Sequence, residues 1–161
     1  GRPKGQGKFG EKTKPMRIPV SKIDNVINFI NNSNISLPLY SSKVPAGFPS
    51  PADDHMEGKL DLNTHLIKHP TATFFVKASG ESMLGAGIHD GDILVVDRSL
   101  EPRKGRVVIA AVDGQLTVKR LQKKGSKTFL VPENKKFRSI ELSENNDVMI
   151  WGVVTNVIHK V

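Results

Sequence analysis

The sequence predicts a mostly β fold, in which a compact β-rich domain follows a flexible basic arm that carries one short helix. Three observations lead there. From residue 72 onward short apolar runs alternate with turn residues, Asp113-Gly114 stands between two of those runs, and residues 1–15 hold Gly, Pro and Lys with almost nothing apolar. With 161 residues, 37% of them hydrophobic, the chain can build one sizeable core and an appendage rather than two full domains.

Residues 1–15, GRPKGQGKFGEKTKP, cannot bury enough apolar surface to offset the entropy of ordering, and flexibility is expected. Residues 16–20 read as a short extended stretch. Ser21 then looks like a helix N-cap with Asp24 at the third helical position. Ile23, Val26, Ile27 and Ile30 follow at i, i+3, i+4 and i+7, so the spacing predicts a short helix that closes at Asn31-Asn32 and whose apolar stripe needs something to pack against. Residues 33–51 place Pro38, Pro45, Pro49 and Pro51 among small polar residues, which argues against helix or central strand and for an extended linker.

Residues 53–68 read as one or two short helical turns. Strands are expected over 72–77, 92–97, 105–112, 115–121, 128–131 and 147–161. Asp113-Gly114 is the strongest hairpin signal and pairs VVIAAV with LTVKRL, which sets Lys119 inside a strand. No repeat of fixed period occurs, so a solenoid or propeller is not expected. The resulting division is a basic arm over 1–44, a linker over 45–52 and a β-rich core over 53–161.

Composition removes several function classes. With no cysteine the chain has no disulfide, thiolate metal site or thiol nucleophile, and a nucleophile must be Ser, Thr or a carboxylate. Apolar runs such as 107–112 fall far short of the roughly 20 residues that cross a bilayer, so no membrane span is expected. No apolar leader follows the basic start, and the cytoplasm is the expected location. Of the net charge of +8, residues 1–22 hold most: seven basic residues (Arg2, Lys4, Lys8, Lys12, Lys14, Arg17, Lys22) less Glu11 give +6. Such a run is either a solvated arm or an electrostatic footprint for phosphate contacts, with Arg2, Lys4, Lys8, Lys12, Lys14 and Arg17 as the DNA-contact candidates.

Histidines offer little by spacing. His65 and His69 are four apart, but HLIKH lacks the Glu of a zinc-protease helix and no third ligand stands at ligand spacing, so no metal is expected. The glycines at 85, 87 and 91 match neither a Walker nor a dinucleotide loop, and no cofactor is expected. Read alone, Ser82 in ASGESML is a turn or capping serine, and Lys119 is a strand lysine of the kind that points to solvent. Residue types alone leave the function open.

Five blocks change this. PAGFPSP at 45–51, KASGESM at 77–83, DGDILVVD at 90–97, IAAVDGQLTVKRL at 109–121 and WGVVTNVIHKV at 151–161 closely resemble, in order and spacing, the UmuD proteins and the C-terminal domains of LexA-type repressors. The resemblance spans residues 45–160 and implies a compact β-rich self-cleaving serine peptidase domain. Carried over position by position, it implies Ser82 as nucleophile, Lys119 as general base and Ala46-Gly47 as the scissile bond. It further implies a homodimer, cleavage stimulated by a RecA filament on single-stranded DNA, a place in the SOS response to DNA damage, and a translesion DNA polymerase subunit as partner. Glu81 stands where UmuD proteins often have Asp. Residues 1–44 are longer than a typical UmuD arm and too short for the winged helix of LexA.

The chemistry required is consistent with these residues. A free lysine titrates near pH ~10.4, so a lysine base must be depressed by burial, and the neighbours Leu116, Val118 and Leu121 can supply it. Prolines flank Ala46-Gly47, and its small residues let a nucleophile approach. A second reading is a LexA-like repressor that binds operator DNA through its N-terminal segment: GRPKG resembles an AT-hook core, and MRIPVSKIDNVINFI resembles the strand-plus-helix half of a ribbon-helix-helix. A third is a non-catalytic basic binding module.

Overall fold

In a computed structural model of the chain, residues 14–31, 35–41, 56–143 and 147–161 are described. The chain divides into two compact units, Gly1–Ser36 and Leu37–Val161. In the first, a 3-10 turn over Val20–Lys22 runs into helix α1, Ile23–Asn31. The expected N-cap at Ser21 is corrected. Pro19, with φ fixed at −55°, opens the turn, and its carbonyl accepts from the Lys22 amide at 2.8 Å, so Ser21 lies inside the turn. The predicted apolar stripe is present but not covered, since Ile27 and Ile30 are exposed.

The second unit opens with strand β1, Leu37–Tyr40, paired antiparallel with β2, Met56–Leu60. Residues 56–60 were expected to be helical. Their pairing with β1 decides for strand, and Pro38 is tolerated there because a two-stranded ribbon has only edges. Helical structure begins later, in α2 (Leu62–Leu66), where Asp61 caps by accepting from the Asn63 amide at 2.9 Å.

The remaining strands are β3 (Thr73–Lys77), β4 (Ile93–Asp97), β5 (Val107–Val112), β6 (Gln115–Lys124), β7 (Lys127–Val131), β8 (Ile140–Leu142) and β9 (Val148–Ile158). They form one seven-stranded sheet of order β3-β4-β9-β5-β6-β7-β8, antiparallel throughout. The mostly β fold class is thus borne out, and each of the six expected strands is present. The additional β8 is three residues long, too short to carry an alternation signal. No helix among the described residues is long and apolar enough to cross a membrane.

β5 is the middle strand, and its composition explains why. Val108 and Ala110 pack with Leu121, Leu130 and Val153, while Ile109 packs with Met83, Leu94 and Val96. A strand buried on both faces needs the nearly continuous apolar run VVIAAV. The hairpin that follows has positive φ at both Asp113 (49°) and Gly114 (77°), the backbone of a primed two-residue turn. Its register then sets Lys119 opposite the fully buried Val108.

β9 returns from the far end of the sequence to lie between β4 and β5, and its pairing shifts register against each neighbour. At Gly152 a Cβ would lie 2.8 Å from Val96 Cγ1 and 2.9 Å from the Asp97 carbonyl oxygen. Glycine is required there by close approach rather than by φ. Gly152→Ala is therefore expected to cost about 1–3 kcal/mol in chemical denaturation, as overpacking of a filled interior does. An unchanged unfolding midpoint would show that β4 and β9 part without cost.

Candidate active site

The nucleophile candidate sits in the turn that leaves β3. Gly80, at φ 82°, reverses the chain, and its amide donates to Asp90 Oδ1 at 2.7 Å. Ser82 is half-buried, and Met83 next to it is 1% exposed, which pins the serine to the core. The loop after β7 clamps the same segment. The Glu133 amide donates to the Ser82 carbonyl at 2.9 Å, the Gly85 amide donates to the Glu133 carbonyl at 2.7 Å, and Asn134 Nδ2 donates to the Glu81 carbonyl at 2.8 Å. A Cβ at Gly85 would stand 2.6 Å from the Glu133 carbonyl oxygen, so only glycine permits this contact.

Lys119 approaches from β6. Its Nζ lies 2.9 Å from Ser82 Oγ, 2.7 Å from Thr117 Oγ1 and 3.0 Å from the Val118 carbonyl oxygen, and the residue is only 8% exposed. Burial holds the amine below its ordinary pKa of 10.5, because an ammonium loses hydration that the protein does not fully replace. The three acceptors suit both protonation states. An ammonium donates to all three; a neutral amine donates to the Val118 carbonyl and to Thr117 and takes the Ser82 hydroxyl proton into its lone pair. Ser82 and Lys119 line a cleft of about 280 Å³, whose other walls include Leu116, Ile109 and Phe137.

Sequence reading missed three contributors. Thr117 is two residues before Lys119 on the same strand, so period 2 could have placed it on the same side. Glu133 and Asn134 carry no such signal, since only the loop after β7 brings them to Ser82. The Arg120 guanidinium pairs with the Glu133 carboxylate and donates from Nη1 to the Gly105 carbonyl at 2.6 Å, which fixes that loop to the strand of the base.

Other candidates fall elsewhere. Ala46 and Gly47, and Arg2, Lys4, Lys8 and Lys12 of the arm, lie outside the described residues; Lys14 and Arg17 are exposed. His69 is taken up by Asp97, Nδ1 to Oδ2 at 2.6 Å, and His65 is exposed. Among the described residues, the three side chains close enough to share a metal ion are His89, Asp92 and His159. Glu81 is exposed.

Comparison with known proteins identifies the family of the chain. The family model described as Peptidase S24-like matches residues 38–155. The chain is 49% identical over 123 residues to Protein SamA of Salmonella typhimurium, covering 76% of this chain and 85% of that protein. It is 49% identical over 124 residues to Protein ImpA of Escherichia coli, covering 76% and 83%. Protein MucA of Escherichia coli is 44% identical over 122 residues, 75% of this chain and 83% of its own. A match over more than half of the chain, with relatives at this identity, bears out the resemblance to UmuD and LexA-type proteins: the chain belongs to the Peptidase S24-like family.

Proposed function

We propose that this chain is a serine endopeptidase that cuts its own sequence at Ala46-Gly47 with Ser82 and Lys119, and that it serves as a UmuD-like accessory to translesion DNA synthesis. The observation that carries the peptidase reading is the 2.9 Å contact between Lys119 Nζ and Ser82 Oγ, made by an amine that is almost fully buried. Neutral Lys119 accepts the Ser82 proton as Oγ attacks the Ala46 carbonyl carbon, and backbone amides at and beside Ser82 stabilise the oxyanion. Collapse breaks the bond to Gly47, whose nitrogen leaves with the proton from Lys119. Water, deprotonated by the same amine, then attacks the Ala46 ester and restores Ser82. Thr117 and the Val118 carbonyl hold the amine in place through each transfer. No cofactor takes part.

The physiological setting follows from the resemblance. A RecA filament on single-stranded DNA would favour the docked state of the cleavage segment and so accelerate the cut through a population shift. A homodimer fits the exposed apolar residues of the final strand, Met149, Trp151 and Ile158. The repressor reading rests on the GRPKG and MRIPVSKIDNVINFI resemblances and on the +6 carried by residues 1–22, which precede the span that the family model matches.

Incubation with RecA, single-stranded DNA and a nucleotide is expected to yield fragments 1–46 and 47–161 by intact mass. Absence of a fragment starting at Gly47 would contradict the peptidase reading. Ser82→Ala and Lys119→Ala should each lower the rate about a thousandfold or more, since the pair acts as a unit. Thr117→Val should lower it about tenfold, the cost of one lost buried hydrogen bond.

Without RecA the rate should climb with pH and level off at the depressed Lys119 pKa, because only the neutral amine is a base. A rate that is flat between about pH 6 and about pH 10 removes Lys119 from that role.

For the arm, fluorescence anisotropy on duplex DNA should show weak binding of the uncut chain that falls steeply with salt, reflecting up to about six neutralised phosphates. It should show little preference for sequence. A preference of about a thousandfold for one site would reverse the choice in favour of a repressor.

A further inference from the structure

We propose that His89, Asp92 and His159 form a binding site for a zinc ion. The pairing of β4 with β9 builds it: Ile93 stands opposite Ile158, so Asp92 and His159 meet one step beyond the last rung, and His89 is in the turn that leads into Asp92. His159 Nδ1 lies 2.6 Å from Asp92 Oδ1, and His89 Nδ1 lies 3.7 Å from Oδ2. The two imidazole rings are 4.7 Å apart between centroids, and the three donor atoms all fall within 4.8 Å of one another.

The chemistry of the set favours a divalent transition metal. Two imidazoles and a carboxylate are a borderline donor set of the kind zinc takes, with water in the remaining positions. The carboxylate is the fixed element, with 3% of its side chain exposed, while the imidazoles are 48% and 44% exposed and leave room for those waters. Asp92 Oδ2 accepts from the His89 backbone amide at 2.7 Å, while the His89 imidazole Nδ1, at 3.7 Å, is too far from it for a hydrogen bond. One dication uses both lone pairs and answers the carboxylate at once. Zinc–ligand bonds of about 2.0–2.1 Å set tetrahedral donors about 3.3 Å apart, so the 2.6 Å His159–Asp92 contact must open and the 3.7 Å His89–Asp92 contact must close, adjustments that rotation of the two half-exposed rings can supply.

The site also has mechanical reach. The Asp92 carbonyl accepts from the Ala78 amide at 2.8 Å, the Gly91 amide donates to the Ala78 carbonyl at 2.9 Å, and Asp90 Oδ1 receives the Gly80 amide at 2.7 Å. The turn that holds two of the ligands therefore supports the segment leading into Ser82, and a bound ion would tie that turn to the end of the chain. Sequence spacing draws attention to His65 and His69 instead, because the ligands that converge are spread over 71 positions, 89 to 159 counted inclusively.

The test is isothermal titration of the chelator-stripped full chain with zinc chloride. It should take up one ion per chain at micromolar concentration. His89→Gln and His159→Gln should each weaken uptake by about tenfold or more, and both variants should stay folded because the rings are half exposed. His65→Gln should bind as the wild type does. No uptake at about 1 mM zinc, binding unchanged in both His89→Gln and His159→Gln, or loss in His65→Gln would each overturn the assignment.

Discussion

The candidate site depends on the burial of one lysine. Lys119 is 8% exposed, and its Nζ is met by Ser82 Oγ, Thr117 Oγ1 and the Val118 carbonyl. A buried ammonium is a cost to the fold, and linkage gives the sign. The unfolded chain keeps its proton up to about pH 10.5, whereas the folded chain releases it sooner. The cost is therefore full below the depressed pKa of Lys119 and fades between that value and 10.5. A fold selected for stability alone would place Met or Leu here. What the lysine gains is a lone pair available at lower pH than in an exposed lysine, beside the Ser82 hydroxyl.

Holding that geometry needs support on two sides. On the side of the base, the primed Asp113-Gly114 turn fixes the β5–β6 register, and the fully buried Val108 fixes the rung on which Lys119 stands. On the side of the nucleophile, Met83 anchors Ser82 in the core, and Glu133 joins the Ser82 turn to the loop after β7 by two backbone hydrogen bonds. The Arg120–Glu133 ion pair closes the circuit, since Arg120 follows Lys119 directly. Ser82 and Lys119 thus share supports, and a shift of one is resisted by the packing of the other.

Much of this was legible in the sequence, for identifiable reasons. The strands of the core announce themselves because each is bounded by turn residues, and VVIAAV-DG-QLTVKRL states both a hairpin and its register. Ser82 and Lys119 were named by motif resemblance, and the fold then brings them to 2.9 Å across 37 positions. What stayed hidden depends on partners distant in sequence. Residues 56–60 form a strand only because Leu37–Tyr40 lies beside them, and Ser21 lost the cap position to the fixed φ of Pro19. Glu133, Asn134 and the His89, Asp92, His159 cluster are invisible to any local pattern, because loop and register rather than spacing assemble them.

The central claim is that burial holds the Lys119 amine below its ordinary pKa, so that it can serve as the proposed base. The most direct measurement is NMR titration of the lysine side-chain ε-carbons in the Ser82→Ala chain, which removes the proposed nucleophile, with the Lys119 signal assigned by its absence in a Ser82→Ala, Lys119→Arg chain. The account predicts that the Lys119 signal titrates below the ordinary lysine value of 10.5. If the Lys119 signal titrates together with the exposed lysines, the amine is an ordinary ammonium and the proposed base is lost.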